Sequence, residues 1–331
     1  MDKVDLAVIG GGGAGAMAYL RGVLNCDKTV LFMGDKATSR RGRAMWVGEV
    51  DNIPGMHDTK RPILGTVKST LAWIDSQETL QGIGIAIKEV VTSVEKDGEE
   101  FILSYGQGET MRARYVILAT GIMDVQPEID GSIEPIFPYA NRGEAIYCVR
   151  CDGHRSLGHS LSVIGGNSTA VSIAAMMIQR YSHAQVPILT NGTEPELGES
   201  SKKLMSAYDM PVYTAPIQEV LGTPRTGLEG FVLADGTRID STRTIVSLGI
   251  IAYNELLVGL GGEIDGSGKA VVSEKYESSI PGLFVVGDLV AGKKMQIYTA
   301  WDEAVDAADE INRRLRTAAF RARLDQSLSS G

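Results

Sequence analysis

An α/β fold built from two doubly wound, nucleotide-binding-type domains is what this sequence predicts, on three observations. Apolar, β-branched runs alternate with helical stretches along the 331 residues, the pattern of parallel sheets covered by helices. A strand–glycine turn–helix start stands at residue 4, and a second stands near residue 161. The chain also carries 39 glycines, which gather where backbone must turn sharply or approach a phosphate closely.

Taken in order, Val4–Ile9 reads as a strand, Gly10–Gly13 breaks it, and Ala14–Leu24 has helical composition. A second strand follows at Thr29–Met33. Strand signals at Phe101–Ser104 and Tyr115–Ala119 end at Ala119-Thr120-Gly121. The second start has Leu161–Ile164 as strand, Gly165-Gly166-Asn167 as turn and Ser168–Arg180 as helix. Further strands are expected at Val186–Thr190, Val212–Thr214, Gly230–Leu233 and Thr244–Leu248. Leu283–Val286 is the last strand, Gly287-Asp288 interrupts it, and a long helix runs from about Gln296 to Arg323. Glycine-containing turns place the boundaries near 121 and 249. The first domain is then discontinuous, over 1–121 and 249–331, with 122–248 inserted.

Charge narrows the function. The chain has 32 basic and 41 acidic residues, a net charge of −9, which excludes nucleic acid as a main partner because a phosphate backbone wants a basic face. No apolar run reaches the ~18 residues of a membrane span, so no integral membrane association is expected. The strand at Val4 leaves no room for a charged leader and cleavage site. Three cysteines fit a reducing, cytoplasmic setting. Of these, Cys26, just before the second strand, is expected to fill a core position.

The first turn carries a binding signal. Gly10, Gly12 and Gly15 form G-x-G-x-x-G directly after a strand, with Gly13 and Ala14 opening the helix. The first glycine makes the turn, the second admits a pyrophosphate, and the third lets helix and strand pack closely. Asp35, after Gly34, stands twenty residues beyond Gly15, where a ribose-binding carboxylate belongs. Arg40, Arg41 and Arg43 follow and are candidates to hold phosphate charge.

Cys148-Val149-Arg150-Cys151-Asp152-Gly153 carries the chemistry. Two cysteines three apart at a turn into a helix can close a small disulfide ring, and such pairs often contain one acidified thiol. Asp152, beside the second cysteine, is placed to exchange protons with a thiolate. A structural zinc site needs a second ligand pair, and none is suitably spaced; no metal is expected.

These motifs together resemble the low-molecular-weight thioredoxin reductase family of flavoproteins over nearly the whole chain. The matching residues are Gly10–Gly15, Gly34-Asp35, Glu49-Val50-Asp51-Asn52-Ile53-Pro54-Gly55, Ala119-Thr120-Gly121, Cys148–Gly153 and Gly282–Asp288 followed by Gln296 and Ile297. The resemblance implies FAD in the first domain and a homodimer. It implies a redox disulfide in an inserted NAD(P)-like domain, with Cys151 toward the flavin, Cys148 toward the partner and Asp152 as acid. It further implies that Asp288 meets the ribityl chain and that the helix from Gln296 directs its N-terminus at the isoalloxazine, where its dipole favours a developing anion.

The chain departs from that family at its second turn. A G-x-G-x-x-A arrangement is replaced by Gly165-Gly166-Asn167-Ser168-Thr169-Ala170. Arginines that hold the NADPH 2′-phosphate are replaced by a loop bearing Glu194, Glu196 and Glu199, which repels a phosphate dianion instead of gripping it. Trp46, Tyr298 and Trp301 add aromatics able to stack on a flavin or cover its face. These departures most resemble the pyridine-nucleotide-independent members, the diflavin-linked disulfide oxidoreductases, which implies a second FAD in place of NADPH and electron flow from dithiol to flavin. The expected partner is a thioredoxin-like protein or another dithiol. The competing readings are an NADPH-dependent thioredoxin reductase, a ferredoxin-linked reductase approached through the basic helix end (Arg313, Arg314, Arg316, Arg321, Arg323), and a non-catalytic redox-sensing flavoprotein. His154, three residues past Cys151, is a further candidate for proton transfer.

Overall fold

The computed structural model describes residues 3–35, 41–57 and 59–329. They divide into two compact units: Met1–Gly42, Ile63–Met123 and Ile251–Gly331 form the first, and Arg43–Pro62 with Asp124–Ile250 the second. Residues 43–62, expected with the first domain, thus pack with the second.

The first unit begins β1 (Lys3–Ile9), α1 (Gly13–Leu24), β2 (Thr29–Phe32), α2 (Pro62–Ser76) and β3 (Gly84–Ile87). The meander β4 (Val91–Asp97), β5 (Glu100–Tyr105) and β6 (Glu109–Leu118) follows. Its sheet runs β3-β2-β1-β6-β5-β4, parallel from β3 through β6 and antiparallel beyond. All four residues of β2 are buried, three of them the apolar run Val30-Leu31-Phe32, as a parallel strand covered on both faces requires.

The second unit contains β7 (Ala145–Ile146), β8 (Leu161–Ile164), α3 (Ser168–Tyr181), β9 (Ile188–Leu189), α4 (Glu199–Ala207) and β10 (Val212–Tyr213). An antiparallel meander, β11 (Ile217–Thr223), β12 (Gly227–Leu233) and β13 (Arg238–Asp240), precedes β14 (Arg243–Val246). The five-stranded sheet, order β10-β9-β8-β14-β7, is parallel throughout. Ala170, Val171, Ala174 and Met177 of α3 pack on Val163, Ile188 and Ile245 of this sheet, and each large side chain so buried contributes about 1.5–3 kcal/mol.

On returning to the first unit, the chain adds β15 (Leu283–Val285) parallel to β6 and ends in α5 (Ile297–Ser329). Ala300, Ala304, Ala307, Ala308 and Ile311 line the buried face of α5 at helical spacing. That face lies on α1, where Arg21 donates bidentately to Asp309 at 2.6 and 2.8 Å. Among the described residues no helix is long and apolar enough to cross a membrane.

Candidate active site: a disulfide turn and two glycine turns

At the first turn, Gly10 has φ +126°, and a Cβ there would fall on the Ala119 carbonyl. A Cβ on Gly15 would fall on the Gly10 carbonyl, and one on Gly13 would strike Ile297. Gly12 alone of these faces open space, and it begins α1 with no side-chain cap and no acid in the first turn. A bare helix N-terminus behind an open glycine is a cradle for a pyrophosphate. Gly34, at φ +75° with open space beside it, presents the exposed Asp35 at the end of β2. Thr120 Oγ1 donates to the Tyr253 carbonyl at 2.7 Å, holding the Ala119–Gly121 turn. These residues, with Gly287, Asp288, Gln296 and Ile297, all belong to the first unit, and their geometry fits a dinucleotide. Asn52 lies instead in the 43–62 segment of the second unit.

Sequence motifs alone do not mark Glu303 as a site residue. It is buried in α5, 1% exposed, and its Oε2 accepts the Gly287 N–H at 2.7 Å. Oε1 has no hydrogen-bond partner among the described residues. Burial pushes its carboxyl up to about 7, against the Gly287 N–H, which favours the anion. The folded state therefore binds a proton that the unfolded chain has lost, and stability falls as pH rises from about 4.5 to about 7. Glu303→Gln is expected to match the parent at pH 4 and exceed it by up to about 3 kcal/mol above pH 8, read as urea midpoints at the two pH values. The one clue in the sequence is an acid on the apolar stripe of α5.

In the second unit, Cys148 and Cys151 are joined as a disulfide, their Cα atoms 5.3 Å apart. Cys148 caps the one-turn helix Val149–Asp152. Its carbonyl accepts the N–H groups of Cys151 and Asp152 at 3.1 and 3.0 Å, and its Sγ accepts the Cys151 N–H at 3.2 Å. A Cβ on Gly153 would crowd Tyr181 of α3, so the turn is seated on that helix. Asp152 Oδ1 is buried and has no hydrogen-bond partner among the described residues. Burial raises its carboxyl to about 6, opposed by the charge of Arg155. The thiol pair thus has beside it a carboxyl that titrates near neutrality, as an acid–base group requires.

Around this turn, Arg155 bonds Asp51 at 2.7 Å and Glu49 at 2.8 Å, and His154 Nε2 lies 2.9 Å from the same Asp51 oxygen. Arg43, a candidate phosphate holder, is bound bidentately to Asp124 at 2.6 and 2.8 Å. Arg41 gives its backbone N–H to the Tyr253 hydroxyl at 2.9 Å, and Arg40 lies outside the described residues. Trp46 is buried between Phe137 (5.5 Å) and Tyr147 (6.1 Å), so protein aromatics already meet its ring. Tyr298, in contrast, is exposed. Cys26 does not fill the core: it is exposed at φ +61°, because the chain reverses there into β2.

The second glycine turn is closed by its own side chains. Asn167 Oδ1 accepts the N–H groups of Thr169 and Ala170 at 3.0 and 3.1 Å, satisfying the donors that a phosphate would otherwise take. The Glu196 N–H donates to the Gly166 carbonyl at 2.8 Å, drawing the acidic loop across the turn. Thr193 Oγ1 lies only 2.9 Å from where a Gly166 Cβ would be. Glu194, Glu196 and Glu199 are exposed around it.

The profile of the pyridine nucleotide-disulphide oxidoreductases matches residues 4–304. An alkyl hydroperoxide reductase subunit of Xanthomonas campestris pv. phaseoli is 25% identical over 325 residues, covering 96% of this chain and 58% of that protein. The chain thus spans little more than half the length of that relative. Thioredoxin reductase tcpT of Claviceps purpurea is 28% identical over 293 residues, 86% of each chain. The fold is that of the crystal structure of HlmI, with a TM-score of 0.83 at 20% identity over 99% of this chain and 97% of that one. The chain belongs to the pyridine nucleotide-disulphide oxidoreductase family, among thioredoxin reductase-like relatives.

Proposed function

We propose that the chain is a flavin-dependent disulfide/dithiol oxidoreductase acting on sulfur groups, in which the Cys148–Cys151 pair exchanges electrons with FAD and no pyridine nucleotide takes part. The carrying observation is the Asn167 side chain on the α3 N-terminus: it occupies the donors that an NADPH pyrophosphate needs, with three carboxylates where a 2′-phosphate would sit. In this reading electrons run from dithiol to flavin, and a second FAD takes the place of NADPH without drawing on the α3 donors that Asn167 occupies. The working state is a cytoplasmic homodimer, and the partner is a thioredoxin-like protein or another dithiol.

The family implies FAD, and the first unit offers it a place. Gly10, Gly12, Gly13, Ala14 and Gly15 would hold the pyrophosphate, and Gly34 with Asp35 the ribose. Ala119, Thr120, Gly121, Gly287, Asp288, Gln296 and Ile297 would line the remainder. When bound, FAD supplies a two-electron acceptor.

The protein's own steps are thiol exchange. A substrate thiolate attacks Cys148 Sγ, the Cys148–Cys151 bond breaks, and Cys151 leaves as thiolate. The second substrate thiolate attacks the substrate sulfur of the mixed disulfide, closing the substrate disulfide and freeing Cys148. Two electrons now reside on the cysteine pair, and the substrate's two protons have been released, one of them to Asp152. Neighbouring charge and the pH set how far each thiol ionises.

The ferredoxin-linked reading loses ground at the basic helix end. Arg313 and Arg314 are engaged with Glu310, and Arg314 also with Glu277. Counting FAD released per chain on denaturation tests the reading. A value near two is expected; a value near one, with turnover driven by NADPH, overturns it.

A further inference from the structure

The disulfide turn carries an ion-pair cluster of which the exchange chemistry above uses only Asp152. Arg155 is largely buried, with a side-chain exposure of 17%, and three carboxylates surround its guanidinium. Asp51 lies at 2.7 Å, Glu49 at 2.8 Å and Asp152 at 4.0 Å. Two of these acids come from the 43–62 segment, and the third adjoins Cys151. Gly143 permits the approach: a Cβ there would fall against the Arg155 side chain. Between them lies a small, partly open cleft lined by Val47, Glu49, Tyr147, Asp152 and Arg155, with room for about one water molecule. Its wall holds Asp152, whose Oδ1 lacks a hydrogen-bond partner among the described residues.

We propose that Arg155 is a positioning residue for proton exchange at the disulfide, clamping Glu49 and Asp51 of the 43–62 segment beside Asp152 at a cleft through which that carboxyl trades its proton with water. The inference rests on the disulfide reading above. The chemistry balances simply. When a substrate thiol gives up its proton during exchange, Asp152 takes it, and a water in the cleft carries it away. No electrons move in that step. Arg155 keeps the Asp152 carboxylate from holding the proton too tightly, and Asp51 works in the opposite sense.

The charged groups that bear on Asp152 are Arg155 and His154 from its own turn and Arg43 and Asp51 from the packed segment. Tyr147 adds a hydroxyl, committed to Gln126 at 2.5 Å. Removing the cation should therefore strengthen the hold on the proton, and removing Asp51's charge should weaken it. A purely structural clamp would not give opposite signs.

The test uses the flavin-loaded protein reduced with dithiothreitol, and its readout is alkylation by iodoacetamide as a function of pH. The parent is expected to show, besides thiol ionisation, a limb near pH 6 where Asp152 titrates. Arg155→Met should move that limb up by about one pH unit, a roughly threefold slower alkylation midway between the two limbs, approaching tenfold below both. Asp51→Asn should move it down, and Arg155→Lys, which keeps the charge, should restore most of the parent profile. If Arg155→Met and Asp51→Asn both fold, yield two thiols per chain from this turn on reduction and leave the limb in place, the proposal is overturned. Should Arg155→Met not fold, the Asp51→Asn shift alone decides it. Failure of the parent's pair to reduce and reoxidise reversibly would instead contradict the disulfide reading.

Discussion

Replacing Cys148 or Cys151 with serine is expected to lower dithiol oxidation by on the order of 10³-fold or more, because each sulfur is a bond-forming atom and a hydroxyl at the same place neither ionises nor forms a disulfide. The yellow colour should survive, since the dinucleotide cradle lies wholly in the first unit and the cysteines in the second. Both are half-exposed at a one-turn helix whose seat on α3 is made by Gly153, so the fold should tolerate the change. Steady-state turnover with dithiothreitol and a dye acceptor, together with the visible flavin spectrum, measures both parts. Parent-like turnover in either variant would remove the pair from the reaction.

The second large effect concerns Asp152. Asp152→Asn should cost about 10²–10⁴-fold in dithiol oxidation, the usual worth of a positioned acid–base group. The pH dependence carries a sign. Asp152 is protonated below about 6 and ionised above it. In the dithiol-to-flavin direction it must accept a proton, so turnover in the parent should rise with pH through that value. Asparagine removes this limb and leaves only the one set by thiol ionisation. A fall in turnover across the same range would mean that the carboxyl acts as a proton donor and that electrons run toward the disulfide.

Much of this molecule is legible in the sequence because glycine turns and buried parallel strands constrain residue type severely. β1, β2, β8 and β15 are apolar runs, largely or wholly buried, and they stand where those runs stand. Gly10 and Gly15 can be read because a side chain at either would collide with backbone. Less visible are elements whose pattern is locally broken. β4 buries only Val91 and Val94, a spacing of three that a strand acquires here from a register shift between Val91 and Ser93. α4 buries a single serine, so no apolar stripe announces it. Site features made by long-range pairing are closed to sequence reading altogether. Arg155 meets Asp51 about a hundred positions away, and Glu303 meets Gly287 only because α5 folds back on that turn. Asn167 is an intermediate case. The sequence marks it as out of place in a glycine turn, and only in the folded chain does its oxygen take the helix donors.

The most direct measurement is anaerobic rapid mixing of the purified protein with NADPH, NADH and a small dithiol in turn, following the visible flavin band. The dithiol is expected to bleach the band, a response that disappears in Cys151→Ser, while neither nicotinamide changes it. Rapid bleaching by NADPH or NADH, with a dithiol inert, would contradict this.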